Sequence, residues 1–286
     1  MINLLVALQA EAKPIIRHFG LSGKPPVAGF RRYGNAQINL LVTGVGPVAV
    51  ASGVTLLAME SLLAEGSAPS AAAWVNVGIA GHGDLPLGTA FLASKITDQS
   101  SGLCWYPPQV LQADIPRHEL ITVATPAQEY PGDAAVDMEA SGFYPTACRF
   151  VTGELVQCLK VVSDNRGHPA TRLDEGVIGE RMVELLEPLA GVIDELHSLA
   201  MTLPRPVIGE VALQPYLQRW RFSHAQRLQL SRLLHDYQLL SGALPDMGVF
   251  KQQKTGKALL IALDADLLVQ RADYLLSMGS DLASAG

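Results

Sequence analysis

The sequence predicts an α/β protein with a largely covered central sheet and a mostly helical C-terminal extension. Two observations predict this fold class. Short continuous apolar runs alternate with helical segments over the first 200 residues, which is typical of a sheet that is buried on both faces. Hydrophobic residues make up 49% of the 286-residue chain and charged residues only 17%, so the chain can bury a large core.

The first predicted elements form two units, each with a strand followed by a helix. INLLVAL at 2–8 is a continuous apolar run and predicts a buried strand, after which a helix covers 9–19. QINLLVT at 37–43 predicts a second strand, which ends at the turn Gly44-Val45-Gly46-Pro47. The segment 48–65 is rich in Ala, Val and Leu and predicts a helix.

The next part of the chain adds three strands and a long helix. AAAWVNVG at 71–78 predicts a buried strand, and the loop IAGHGDLPLG at 79–88 follows it. TAFLASKI at 89–96 and VQCLKVVS at 156–163 predict two more strands, whereas 97–135 is rich in Pro, Gln, Asp and Ser and gives no assignment. Apolar residues at helical spacing predict one helix over 175–199.

The alternation of apolar strands with helices ends at the Pro-rich break LPRP at 203–206. Residues 222–240 predict an amphipathic helix that Ser223 caps, and we expect its apolar face to pack on the first domain or on a second subunit. KALLIALD at 257–264 predicts a strand or the start of a helix, and the last 20 residues predict a helix. We therefore predict a first domain at 1–200 and an extension at 201–286.

Composition excludes several classes of protein. The net charge is −6 and no Lys/Arg cluster exceeds a pair, which argues against a nucleic-acid groove. Cys104, Cys148 and Cys158 show no CxxC spacing and are interpreted as small buried hydrophobes in a reducing compartment. Neither a signal peptide nor an apolar run of 18 residues is present, so we expect a cytoplasmic protein without a membrane span.

Three segments carry carboxylates where strands end or helices begin. Glu11 follows the first predicted strand, Met138-Glu139 starts a helical segment, and Ser163-Asp164 ends an apolar strand. A carboxylate that holds a sugar diol, together with an acid that protonates a leaving base, suits cleavage of an N-glycosidic bond. A structural interpretation is also open for each segment, because acidic residues stabilise helix starts and Asp137 is placed to cap one.

With these motifs in view, the chain resembles the nucleoside phosphorylase and nucleosidase superfamily over about residues 1–198. Its pattern is most similar to that of methylthioadenosine/S-adenosylhomocysteine nucleosidases. The resemblance implies a three-layer α/β fold with a mixed, distorted central sheet flanked by helices. It also implies cleavage of the bond between a base and ribose, by water or phosphate, without a metal or cofactor. Subunits of this superfamily usually associate, so we expect a homodimer or a higher homo-oligomer.

The resemblance assigns a role to each residue of the three motifs. Glu11 matches the glutamate that activates the attacking water. Glu139 matches the glutamate that accepts hydrogen bonds from the ribose hydroxyls, with Met138 packed against the sugar. Asp164, preceded by Ser163, matches the acid that assists departure of the purine through N7.

Other matches concern the walls of the expected cleft. Gly44 lies in the glycine turn beside the ribose, and Gly78 lies in the strand-end segment NVGIAG. Ile79 stands where a Ser usually helps hold the water or phosphate. Lys160 stands where nucleosidases often have an Arg near the nucleophile, although a surface lysine at the start of a strand also fits. Tyr130 is the candidate for stacking on the purine.

The favoured function is hydrolysis of a purine nucleoside, such as a 5′-thio-substituted adenosine. Asn76 stands where phosphorylases commonly place a phosphate-binding Arg, which favours water over phosphate. One alternative is a phosphorylase with inorganic phosphate as co-substrate, whose Arg would be Arg31, Arg32 or one from a partner subunit. Another is a nucleoside-binding protein without turnover. His82 is interpreted as a solvated loop histidine beside the cleft.

Overall fold

A computed structural model describes residues 1–65, 72–126, 129–170, 174–202, 208 and 210–284. The described residues divide into two compact units, the first within 1–202 and the second within 208–284. The first unit holds the sheet. Its strands are β1 (Ile2–Val6), β2 (Ser22–Val27), β3 (Phe30–Gly34), β4 (Ile38–Val42), β5 (Ala73–His82), β6 (Ala90–Asp98), β7 (Cys104–Trp105), β8 (Arg117–Thr122), β9 (Ala135–Asp137) and β10 (Val156–Asp164).

Helices cover the sheet in the first unit, and the regular elements described in the second unit are all helices. A single 3₁₀ turn at Gly153–Leu155 leads into β10. The α-helices are α1 (Gln9–His18), α2 (Pro47–Glu65), α3 (Ala140–Ala147), α4 (Glu175–Glu184), α5 (Leu186–Thr202), α6 (Glu210–Arg219), α7 (His224–Ser241) and α8 (Gly256–Ser284).

The sheet is mixed and partly closed on itself. β5 pairs in parallel with both β1 and β10, and β1 pairs in parallel with β4. β10 continues through β6 and β8 to β9, which returns to pair with β5, so these five strands form a ring. β4, β3 and β2 extend the sheet on the other side of β1 as an antiparallel meander. The mixed central sheet flanked by helices confirms the predicted fold class.

Alternation along the strands places apolar side chains in two cores. In β1, Leu4 and Val6 belong to a core shared with α1, α4 and α5, whereas Leu5 belongs to a core shared with α2 and α3. Successive side chains of a strand point to opposite faces, so the sheet is buried between two helical layers. This burial on both faces explains why its central strands appear in the sequence as continuous apolar runs.

Three elements differ from the predictions. The predicted loop at 79–88 is wrong over its first four residues, because Ile79 to His82 continue β5 and pair with β10 and β9. The single helix predicted over 175–199 is interrupted at Leu185, where α4 ends and α5 begins. Pro188 lacks the N–H that a continuous helix would bond to the carbonyl of residue 184. The unassigned stretch 97–135 contains β7 and β8 and the start of β9.

The second unit has its own hydrophobic core. The apolar face of α7 contributes Leu230, Leu234 and Tyr237, which pack with Trp220 and with Leu263 of α8. The Ser223 side chain accepts a hydrogen bond from the Gln226 N–H, which confirms the predicted cap. KALLIALD lies inside α8 and is helical. Within the described chain, no helix combines the length and the apolar character that a membrane crossing requires.

Candidate active site

The carboxyl ends of four parallel strands meet at one edge of the sheet. β1, β4, β5 and β10 are parallel neighbours, so the residues that follow them lie close together. Crevices at this edge are where open α/β sheets bind ligands. β9 ends at the same place, because it pairs with the last two residues of β5 and is followed directly by Met138 and Glu139.

Glu11 lies in the first turn of α1, and its carboxylate turns back toward the sheet. Its Oε2 accepts hydrogen bonds from the N–H groups of Ala7 at 2.9 Å and Leu8 at 2.8 Å. Its Oε1 accepts one from the N–H of Ile79 at 3.0 Å. Burial raises the pKa of Glu11 above its ordinary value, although the backbone N–H groups and the charge of Lys160 oppose the rise.

Gly78 provides the space that Glu11 occupies. A Cβ at this position would lie 2.6 Å from Glu11 Oε1, closer than any real side chain tolerates. The glycine therefore lets the carboxylate approach the end of β5 and reach the N–H of Ile79.

Glu139 directly precedes α3, and its carboxylate is held by the glycine turn after β4. Its Oε1 accepts a hydrogen bond from the N–H of Gly46 at 3.0 Å, and Gly44 and Gly46 have φ of +85° and +104°. These angles favour glycine and aim the backbone of the turn at the carboxylate. Burial raises the pKa of Glu139 to about 7, with Lys160 opposing the rise and Asp137 adding to it.

Lys160 and Asp137 form a buried ion pair beside these carboxylates. The Nζ of Lys160 lies 2.9 Å from Asp137 Oδ2, with side-chain exposures of 1% and 0%. Asp137 also accepts hydrogen bonds from the Thr122 hydroxyl and the Ala140 N–H. Burial alone would lower the pKa of Lys160, but the negative charges of Asp137 and Glu139 outweigh it and raise the pKa. The interpretation of Lys160 as a surface residue is therefore wrong.

Asp164 ends β10 and is held by two hydroxyl groups. Ser163 donates to Asp164 Oδ1 and Tyr130 donates to Asp164 Oδ2, each at 2.5 Å. The lack of a side chain at Gly81 leaves space for the Asp164 carboxylate and the Tyr130 ring. A Cβ there would lie 2.5 Å from Asp164 Oδ2 and 2.6 Å from Cε1 of Tyr130.

His82 is buried with 3% exposure, so its interpretation as a solvated loop histidine is wrong. Its Nδ1 accepts hydrogen bonds from the N–H groups of Asp84 and Leu85, each at 3.1 Å. Nε2 therefore carries the proton and donates to the Asp133 carbonyl at 2.9 Å. His82 thus ties the end of β5 to the loop that carries Tyr130.

Glu11, Glu139 and Asp164 all line one cavity of about 330 Å³. Its acidic lining comes from three places in the chain, and its remaining lining is mainly apolar. Ser163, Gly81 and the half-buried Met138 also line it. The acidic lining residues are Glu11, Asp137, Glu139 and Asp164, and the apolar ones include Leu8, Val45, Ile79, Val123, Pro126 and Ile178.

Other predicted site residues support the cavity without being part of its described lining. Gly44 shapes the turn that binds Glu139, and Gly78 makes room for Glu11. Lys160 forms an ion pair with Asp137, and the hydroxyl of Tyr130 donates a hydrogen bond to Asp164. The roles that the resemblance assigned to these residues stay predictions.

Sequence reasoning missed three residues of the site. Asp137 was considered only as a helix cap, yet it also binds Lys160 and lines the cavity. Gly46 and Gly81 were not distinguished from ordinary turn glycines. Their signal is their place near the carboxyl ends of parallel strands, Gly46 in the turn after β4 and Gly81 in the last residues of β5, where a glycine lets backbone or a neighbouring side chain approach closely. In the part of the chain that the structure describes, no group of three or more His, Cys, Asp or Glu side chains could hold a metal ion.

Over 68% of the chain, the fold is similar to that of solved nucleosidase structures. No protein-family model and no curated protein matches the chain. Solved structures do match. One is a mutant of the 5′-methylthioadenosine/S-adenosylhomocysteine nucleosidase of Helicobacter pylori with 5′-methylthioadenosine in its active site. It is 17% identical with a TM-score of 0.54, and the match covers 68% of this chain and 98% of that one.

Two further structures show the same fold. Futalosine hydrolase of Helicobacter pylori is 18% identical with a TM-score of 0.53, covering 68% of this chain and 97% of the hydrolase. The 5′-methylthioadenosine nucleosidase of Arabidopsis thaliana is 18% identical with a TM-score of 0.53, covering 68% of this chain and 95% of the plant enzyme.

Proposed function

We propose that the protein hydrolyses the N-glycosidic bond of a purine nucleoside, with a 5′-thio-substituted adenosine as the preferred type of substrate. The observation that carries this proposal is the convergence of Glu11, Glu139 and Asp164 on one cavity. They arrive from the ends of three different strands. Burial raises the pKa of Glu11 and of Glu139, and titratable groups gathered in one cleft with perturbed pKa values are typical of catalytic sites.

Glu11 is proposed to activate the attacking water. Oε2 already accepts two backbone N–H bonds, whereas Oε1 accepts only the one from Ile79. Each carboxylate oxygen has two lone pairs, so Oε1 keeps one for the proton of a water molecule. The raised pKa makes the carboxylate a stronger base than an exposed glutamate.

Glu139 is proposed to hold the ribose diol. The N–H of Gly46 occupies one lone pair of its carboxylate, and the remaining lone pairs can accept two sugar hydroxyls. When ionised, Glu139 also stabilises the positive charge that grows on the sugar ring as the bond to the base breaks. Met138 lines the same part of the cavity and supplies an apolar contact for the sugar.

Asp164 is proposed to donate a proton to the purine N7. The electron pair of the breaking C1′–N9 bond then passes to a base that leaves neutral. The apolar walls around Val123 and Pro126 suit a flat purine ring. Replacing Asp164 with Asn should lower the rate by about 10²-fold or more.

The lining favours water over phosphate as the nucleophile. No Arg or Lys occurs among the described residues that line the cavity, and its acidic side chains would repel an anion. Arg32 pairs with Glu60 at 2.7 Å, and Arg31 donates to Gln9. Neither arginine lines the cavity. The subunit association that the resemblance implies stays a prediction.

The test is a panel of methylthioadenosine, adenosine, inosine and uridine, incubated with the protein with and without inorganic phosphate. Chromatography of the free base follows the reaction. Release of adenine without phosphate is the expected result. Release that requires phosphate would make the protein a phosphorylase. Binding without release, observed by thermal shift, would make it a nucleoside-binding protein.

A further inference from the structure

Tyr130 reaches Asp164 across 34 residues of sequence, and the contact is built from several elements. The Tyr130 side chain is 9% exposed and Asp164 is 5% exposed. The missing side chain of Gly81 leaves the space that the edge of the Tyr130 ring and the Asp164 carboxylate both enter. A glycine, a tyrosine and an aspartate from three parts of the chain therefore fit one another at the wall of the cavity.

The loop that carries Tyr130 is anchored at its base. β9 pairs with β5 through Gly81 and His82 directly after the loop, and His82 donates to the Asp133 carbonyl inside it. Ala134 closes a turn on Pro131 through a 3.1 Å hydrogen bond. We expect this backbone support to keep the Tyr130 hydroxyl in place when a ligand binds in the cavity.

The hydroxyl acts as a donor. Burial raises the pKa of Tyr130 above its ordinary value, and the hydrogen bond and charge of Asp164 raise it further. The phenol therefore keeps its proton at working pH. Ser163 donates to the other oxygen of Asp164, so each oxygen keeps one further position, and in the protonated acid one of these positions carries the proton that the base receives.

We infer that Tyr130 is a positioning residue for Asp164: it fixes the plane of the carboxyl group at the cavity wall and stabilises the carboxylate that forms when the proton leaves. This inference rests on the proposed function. In the step, the Asp164 proton moves to the base nitrogen and the C1′–N9 electron pair moves to the base, while Tyr130 keeps its own proton. Its hydrogen bond strengthens as negative charge develops on Asp164.

The test compares Tyr130→Phe, Asp164→Asn and the double variant with the unmodified protein. Tyr130→Phe keeps the ring and removes only the donor, so kcat should fall about 10- to 100-fold while KM stays within about threefold. In the Asp164→Asn background the same change should alter kcat by less than about twofold, because Tyr130 acts through the carboxylate. Tyr144→Phe is the matched control, since Tyr144 is buried outside the lining and should leave kcat unchanged.

Two outcomes would overturn the inference. One is an unchanged kcat in Tyr130→Phe. The other is a Tyr130→Phe effect that multiplies fully with that of Asp164→Asn, which would mean that Tyr130 acts independently of Asp164.

Failure of the proposed function gives a different pattern, because the unmodified protein would then release no base. In that case, calorimetry with adenine replaces kinetics as the readout. Tyr130→Phe should weaken adenine binding about tenfold, and only when Asp164 is present. Equal adenine affinity with and without the Tyr130 hydroxyl would refute the inference even in an inactive protein.

Discussion

Replacing Glu139 with Gln should change how stability depends on pH. Burial raises the pKa of Glu139 from 4.5 to about 7 in the folded protein, because the carboxylate loses its hydration. Below pH 4.5 the carboxyl group is protonated in both the folded and the unfolded chain. As the pH rises to about 7, the unfolded chain releases its proton first, and the folded state loses stability. At about 1.4 kcal/mol per pH unit, the loss amounts to about 3 kcal/mol.

Gln is neutral at every pH and can still accept the hydrogen bond from the N–H of Gly46. We therefore expect Glu139→Gln to match the unmodified protein near pH 4.5 and to exceed its free energy of unfolding by about 3 kcal/mol near pH 8. Urea unfolding at several pH values, followed by circular dichroism, measures the difference. Glu187→Gln alters an exposed glutamate of α5 and should leave the pH dependence unchanged. Parallel stability curves for Glu139→Gln and the unmodified protein would refute the reasoning.

Two other substitutions and one pH profile test the site. Gly78→Ala places a methyl group 2.6 Å from Glu11 Oε1, so the carboxylate should be displaced and steady-state base release should fall about 10²-fold or more. Lys160→Met leaves Asp137 buried without its cation, which should cost about 3–5 kcal/mol of unfolding free energy in urea melts. Because Glu139 must be ionised to stabilise the sugar cation, kcat/KM should rise with pH through about 7.

The chain offers matched controls for two of these changes. Gly179→Ala adds a methyl group where nothing lies within 4 Å, so base release should be unaffected. Lys95→Met breaks an ion pair with Glu119 whose side chains are 29% and 54% exposed, and it should cost less than about 1 kcal/mol. Full activity in Gly78→Ala would contradict the first prediction. Equal losses of unfolding free energy in Lys160→Met and Lys95→Met would contradict the second, and a kcat/KM that does not change with pH would contradict the third.

The central strands could be predicted because each is buried on both faces and is therefore apolar at most positions. β2, with the sequence SGKPPV, could not be predicted. It is a largely exposed strand of the meander, and Pro and Lys are uncommon in strands. β5 was predicted too short, since its end carries Gly78 and Gly81, which resemble turn residues. In the structure these glycines admit the side chains of the site.

Glu11, Glu139 and Asp164 could be predicted from their positions near strand ends, because parallel strands bring those ends together. The contacts that reach the site from distant parts of the sequence could not be predicted. Tyr130 meets Asp164 from 34 residues away, and His82 meets the Asp133 carbonyl from 51 residues away. Such contacts depend on side-chain directions and loop paths that periodicity does not encode.

Incubation in ¹⁸O-labelled water without phosphate tests the central claim most directly. Mass spectrometry of the sugar released from methylthioadenosine shows where the new oxygen comes from. We expect one labelled oxygen in the sugar and free adenine, with the rate lowered about 10²-fold or more in Glu11→Gln. Release of no base from any purine nucleoside, or an unchanged rate in Glu11→Gln, would contradict the proposal that Glu11 activates water for N-glycosidic hydrolysis.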